Sequence, residues 1–72
     1  MNNLNVAKIQ LNGNPYKINQ GTNLNELLNK LRIEKNKVAI EVNGEIVDRN
    51  KYSNLILNKD DKVEIVHFIG GG

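Results

Sequence analysis

An α+β fold, with one helix laid on a small mixed sheet, is what this 72-residue chain predicts. Three observations carry that expectation. One stretch alone has helical periodicity, with Leu24, Leu27, Leu28 and Leu31 spaced at i, i+3, i+4 and i+7. Several short stretches alternate apolar and polar residues with the period of a half-buried strand. Asn12-Gly13 and Asn43-Gly44 interrupt those stretches with the residue pair that accepts positive φ in a tight hairpin. The result is a sheet of about four to five strands packed on one main helix, which can cover only one sheet face.

The elements follow in order. Ala7-Lys8-Ile9-Gln10-Leu11 alternates and forms the first strand, and Asn12-Gly13 reverses it. Tyr16-Lys17-Ile18 returns as the second strand, and Pro15, which has no N–H to donate, belongs at a sheet edge. Residues 1–6 precede the pattern and are expected to extend or fray. The helix begins near Asn23, where Asn23-x-x-Glu26 has the spacing of a capping box. Its leucine stripe is core, while Asn25, Asn29, Lys30 and Arg32 take the other faces. Val38-Ala39-Ile40-Glu41-Val42 is the third strand, with Val38, Ile40 and Val42 on one face. After Asn43-Gly44, Glu45-Ile46-Val47 forms the fourth. Asp48 to Leu57 is irregular, with a short helical turn expected near Lys51–Asn54, and Asn58 to Asp61 reads as a turn. Lys62 to Ile69 forms the last strand, with Val63 and Ile65 toward the helix and Glu64, Val66 and Phe68 on the opposite face. The domain is thus 1–69, followed by the tail 70–72.

Composition removes several classes of function. The chain has no cysteine, so it forms no disulfide, no thiolate metal site and no side-chain persulfide. His67 is its only histidine and reads as a peripheral strand residue, since no carboxylate or nucleophile is its evident partner. The net charge is +2, but Lys and Arg are interleaved with Asp and Glu, and the aromatic residues are only Tyr16, Tyr52 and Phe68. A phosphate-tracking groove with stacking platforms is therefore not expected, and nucleic acid is not an expected partner. Neither an apolar leader nor a membrane span is present, so a soluble, cytoplasmic and monomeric protein is expected. A chain this short houses a buried catalytic cleft poorly, and a binding or carrier role fits it better.

Gly70-Gly71-Gly72 closes the sequence. Glycines there leave the α-carboxylate free of any neighbouring Cβ, on a tail able to thread a narrow channel. Three residues reach roughly 10 Å at ~3.3–3.6 Å each. Such an end suits a carboxylate delivered into another protein and activated there as an acyl group; the plain alternative is a frayed end without function. Val66 and Phe68 carry two readings as well, either covering the sheet's back or forming, with Ile69, a docking patch beside a reactive terminus.

Taken in order, a set of short stretches resembles the ubiquitin-like β-grasp sulfur carriers, and most closely the thiamine-biosynthesis sulfur carrier family. They are Lys8-Ile9-Gln10-Leu11-Asn12-Gly13, Asn23-Leu24-Asn25-Glu26-Leu27-Leu28 and Val38 through Val47. Arg49-x-x-Tyr52 and Asp61-Lys62-Val63-Glu64-Ile65-Val66 follow, closing on Gly71-Gly72. The chain departs from the family pattern at Asp48, where a proline is common, and in its first six residues, which are extra. The related molybdopterin carriers usually have prolines shortly before the terminal glycines; His67-Phe68-Ile69 stands there instead and favours the thiamine branch.

The resemblance implies a β-grasp fold and a defined chemistry. A dedicated adenylating, E1-like enzyme, holding ATP and Mg²⁺ itself, would activate the Gly72 carboxylate. Sulfur from a cysteine-desulfurase-derived persulfide would then convert Gly72 to a thiocarboxylate, and thiazole synthase would accept it. Gly70 and Gly71 would allow entry to the partner's tunnel, and Val66, Phe68 and Ile69 would dock. On this reading the chain binds no cofactor of its own and is a recycled co-substrate, not an enzyme. Two alternatives share the activation step, a molybdopterin-type sulfur carrier and a ubiquitin-like protein modifier. A passive interaction domain is the third.

Overall fold

A computed structural model of the chain describes residues 5–69. In chain order it contains β1 (Val6–Leu11), β2 (Asn14–Asn19), α1 (Leu24–Leu31), β3 (Val38–Val42), β4 (Glu45–Ile46) and β5 (Lys62–His67). Short 3-10 turns occupy Lys35–Lys37 and Arg49–Asn54. The five strands form one sheet in the order β2-β1-β5-β3-β4. The last strand therefore lies at the centre, parallel to β1 and antiparallel to β3, and the sheet is mixed as expected.

Local chemistry sets the turns and the helix. Asn12 and Gly13 have φ of 49° and 85°, and Asn43 and Gly44 have 53° and 86°, the successive positive values of a two-residue hairpin turn. β2 is an edge strand, which is where Pro15 can sit without breaking a ladder. At the start of α1, Asn23 Oδ1 accepts from the Glu26 N–H at 2.7 Å, and Glu26 Oε1 accepts from the Asn23 N–H at 3.0 Å. The capping box is complete. At the other end Arg32 adopts φ 59°, and the Ile33 N–H donates to the Leu28 carbonyl at 2.9 Å, closing the helix through a left-handed residue.

The helix stripe packs on one face of the sheet. Leu24, Leu27 and Leu28 join Ile9, Ile18, Val38, Ile40, Val63 and Ile65 in a single buried cluster, with Leu31 half-buried at its margin. Tyr52 and Leu57 complete it from the irregular crossing. That crossing is fastened to the helix start: the Leu24 N–H donates to the Leu55 carbonyl at 3.0 Å and the Leu57 N–H to the Thr22 carbonyl at 2.9 Å.

Five elements differ in their bounds from the expectation. Among them β2 runs from Asn14 to Asn19 rather than Tyr16 to Ile18, because its whole length pairs with β1. Val6 belongs to β1, and the Asn5 carbonyl just before it accepts from the Gln20 N–H at 2.7 Å, just past the end of β2. Residues 1–4 of the expected frayed extension lie outside the described residues. β4 stops at Ile46 instead of Val47, because only Glu41 and Val42 of β3 pair with it. The turn near Lys51–Asn54 starts earlier, at Arg49, and drives Tyr52 into the core. β5 ends at His67 rather than Ile69, because its neighbour β3 begins at Val38, just after the 3-10 turn. Past that point a single bond continues the ladder, from the Phe68 N–H to the Lys37 carbonyl at 3.0 Å.

Candidate functional site at the end of the central strand

β5 carries the chain toward Gly70-Gly71-Gly72, and both Asn-Gly turns hold it. At its start, Asn43 Oδ1 accepts from the Lys62 N–H at 2.9 Å, and the Asn43 N–H donates to the Lys62 carbonyl at 2.7 Å. Asn43 Nδ2 also donates to Asp61 Oδ1 at 3.0 Å, while Asp61 Oδ2 accepts from the Asn58 N–H at 2.7 Å, fixing the turn into β5. Further along, Asn12 Oδ1 accepts from the Ile65 N–H at 2.7 Å and Asn12 Nδ2 donates to the Ile65 carbonyl at 3.3 Å. The Asn12 amide thus does for Ile65 what a residue of a neighbouring strand would do. A turn asparagine in the left-handed region is favoured for φ alone; here each also anchors the strand that leads to the tail.

Along β5 the side chains alternate as the sequence requires. Val63 and Ile65 are buried against the helix side. Val66 and Phe68 point to the opposite face and are 59% and 56% exposed, and Ile69 is 99% exposed. Both side chains are therefore open on the outer face, which either reading of Val66 and Phe68 allows. The register extends this face to residues that sequence reasoning did not single out. Ala39 is the cross-strand partner of Val66, and Ile46, on the same face through its pairing with Glu41, is exposed. Between them Glu41 and Glu64 stand directly opposite each other, two like charges on one face. Only the strand register places these residues together. Alternation within β3 or β4 gives each a face but no neighbour.

His67 is exposed at the end of β5, opposite Val38. Among the described residues no carboxylate lies within ion-pair distance of it, which leaves it a peripheral strand residue. Among the same residues no group of three His, Asp or Glu side chains is arranged to hold a metal, and no helix is long and apolar enough to cross a membrane. Gly70, Gly71 and Gly72 lie outside the described residues.

The ThiS family model matches residues 9–72, from the first strand through the last glycine. The chain belongs to the ThiS family. This agrees with the resemblance read from its short stretches and with the β-grasp arrangement of sheet and helix. It is 38% identical over 65 residues to the sulfur carrier protein ThiS of Bacillus subtilis, covering 89% of this chain and 98% of that one. The crystal structure of the thiamine biosynthesis protein ThiS from Geobacter metallireducens superposes with a TM-score of 0.79 at 31% identity, covering 90% of this chain and 99% of that one. A further match, 48% identical over 65 residues, is to a protein of Magnetococcus marinus named thiazole synthase, and it covers 90% of this chain. This ThiS-family chain spans only 20% of the length of the thiazole synthases it matches.

Proposed function

We propose that the chain is the sulfur carrier for thiazole formation in thiamine biosynthesis, and that its cargo rides on the Gly72 carboxylate. The observation that carries this reading is a family match running through Gly72, joined to a central strand with an exposed apolar shoulder of Val66, Phe68 and Ile69. A carboxylate is a poor electrophile, because its charge is delocalised and oxide does not leave. Attack of a Gly72 oxygen on the α-phosphorus of ATP expels pyrophosphate and gives an acyl-adenylate. A persulfide sulfur then attacks the carbonyl carbon and displaces AMP. Cleavage of the resulting acyl disulfide by a thiol leaves the thiocarboxylate. An adenylating enzyme supplies the ATP and Mg²⁺ site, and a cysteine desulfurase supplies the persulfide.

The chain's own part is delivery. Gly70 and Gly71 present no Cβ to a narrow channel, and Val66, Phe68 and Ile69 dock beside it. Thiazole synthase is the acceptor on this reading. Its support is that a stretch like this chain occurs within proteins of that name, since joining two modules that act together raises their effective concentration toward the millimolar range. The chain is then a recycled co-substrate and not an enzyme. Incubated with its adenylating enzyme, ATP and a sulfur donor, the intact chain should gain the mass difference between sulfur and oxygen. No gain, or the same gain after Gly71 and Gly72 are removed, would refute the carrier role.

A further inference from the structure

We propose that the edge of β5 at His67 and Ile69 is a strand-pairing site, occupied by an extended segment of the thiazole synthase that takes the sulfur. The inference rests on the reading above, that the carboxyl end reacts inside that protein. It follows from which way each backbone group of β5 points. In an antiparallel ladder, alternate residues direct their N–H and C=O to the same neighbour. The Lys62 carbonyl accepts from the Asn43 N–H and the Phe68 N–H donates to the Lys37 carbonyl, so the even-numbered residues face β3. The odd-numbered residues face the other way. The Asp61 carbonyl accepts from the Gln10 N–H at 2.9 Å, the Val63 carbonyl accepts from the Asn12 N–H at 2.9 Å, and Ile65 is held by the Asn12 side chain.

β1 stays beside β5 only through Gln10–Lys62 and Leu11–Val63, and then leaves at Asn12-Gly13. The next odd position of β5, His67, therefore directs its N–H and C=O groups into the open side of the strand. Ile69 is the next odd position after the bond from the Phe68 N–H to the Lys37 carbonyl. Among the described residues β1 pairs with β5 no further than Val63, and no backbone bond outside the ladders reaches His67 or Ile69. Asn12 ends the covered stretch at Ile65, so the free groups begin immediately beyond it.

The length of chain that follows limits how far the occupant can lie. Among the proteins that would meet the tail, thiazole synthase is favoured because a stretch like this chain occurs within proteins of that name. Gly70, Gly71 and Gly72 together reach roughly 10 Å. A protein whose reacting atoms meet the Gly72 carboxyl holds those atoms within that distance of Ile69, and so lies beside this edge. An extended segment there gains two donors and two acceptors aligned at strand spacing, as in recognition by strand addition. A second copy of this chain fits poorly, because antiparallel pairing of two such edges would run each tail into the other's Asn12-Gly13 turn.

Proline tests the site, since it lacks the N–H and fills that place with its ring. A strand tolerates proline where the N–H faces no neighbour. Full-length His67→Pro should therefore melt near the wild type, yet bind thiazole synthase from the same source at least about tenfold more weakly than His67→Ala, which keeps the N–H. Ile69→Pro against Ile69→Ala should give the same contrast beyond the end of β5, and it decides the matter if His67→Pro does not fold. Equal affinity within about twofold for both proline–alanine pairs would overturn the proposal. So would a concentration-dependent dimer of the isolated chain that His67→Pro and Ile69→Pro dissolve, because the edge would then belong to a second copy. If removing Gly70–Gly72 stops the sulfur gain while the proline variants bind normally, the edge site alone fails. If the gain survives that removal, the carrier reading fails first.

Discussion

Replacing Asn12 should show how far a turn side chain governs the strand that ends in the tail. Asn12→Gly keeps the positive φ of 49° accessible but removes both bonds to Ile65, at 2.7 and 3.3 Å. The site is only partly buried, so water replaces some of what is lost, and a net cost of about 1–2 kcal/mol is expected for the bonds. The added glycine freedom in the unfolded chain contributes about 0.5–1 kcal/mol more. A domain of this size has about 4–11 kcal/mol in total, at ~0.05–0.15 kcal/mol per residue. The melting temperature should therefore fall by roughly 6–24 °C, at ~4–8 °C per kcal/mol. Asn12→Ala should cost about 1–2 kcal/mol more than the bonds alone, because alanine resists the left-handed region.

Urea unfolding measures the total, and amide exchange locates it. The Ile65 N–H should exchange faster in Asn12→Gly, whereas that of Val66, directed toward β3, should change only with global stability. If Asn12→Gly keeps the wild-type stability to within about 0.5 kcal/mol and Ile65 exchange does not move, the anchoring role assigned to Asn12 is wrong.

Two further predictions concern the exposed face and the core. Phe68→Asp should leave stability within about 0.5 kcal/mol, as substitutions at exposed positions usually do, but should slow sulfur loading by about tenfold or more in kcat/KM, a loss of ~1.4 kcal/mol in transition-state binding; normal loading would remove Phe68 from the docking surface. Burial raises the Tyr52 hydroxyl pKa above its ordinary 10.0, partly opposed by the nearby Arg49 charge. The folded state thus holds this proton more tightly than the unfolded one. Its contribution to stability is complete below about pH 10 and declines as pH rises through the raised folded value. Unfolding free energies from pH 9 upward should show a downward slope that Tyr52→Phe lessens, and an identical slope in both proteins would contradict the burial effect.

What could be read from the sequence was what neighbouring residues decide among themselves. The leucine stripe, the capping box and the two Asn-Gly turns each depend on residues a few positions apart, and each is present in the structure. The burial of Tyr52 and Leu57 was not legible, because it follows from an irregular crossing docked on the start of a helix far away in sequence. Nor was the second role of Asn12, which acts on a residue 53 positions further on. The same division holds at the candidate site. Strand alternation put Val66 and Phe68 on the outer face, but the neighbouring Ala39, Ile46 and opposed Glu41 and Glu64 appear only once the register is known. The end of β5 at His67 was likewise set by another segment, the turn at Lys35–Lys37 from which β3 starts.

The central place of β5 bears directly on how a carrier this small can work. Were the last strand an edge strand, fraying of a single ladder would let the chain end wander with it. Here β5 is held by β3 on one side and by β1 and the Asn12 side chain on the other through Ile65, and by β3 to Phe68. The last fixed point, Phe68, therefore lies only four residues from the carboxylate, which can reach no more than roughly 13–14 Å from it. On the proposed carrier reading, a partner that seats the sheet face has by that act placed the carboxylate near its reaction site. Most of the entropy of bringing the two together is then met by docking, before any bond is made. On the same carrier reading, Val66 and Phe68 are left open near the tail, in a domain with little core to spare, because a partner covers them. Covering Val66 and Phe68 with the chain's own residues would add burial, but it would take away the surface from which the end is aimed.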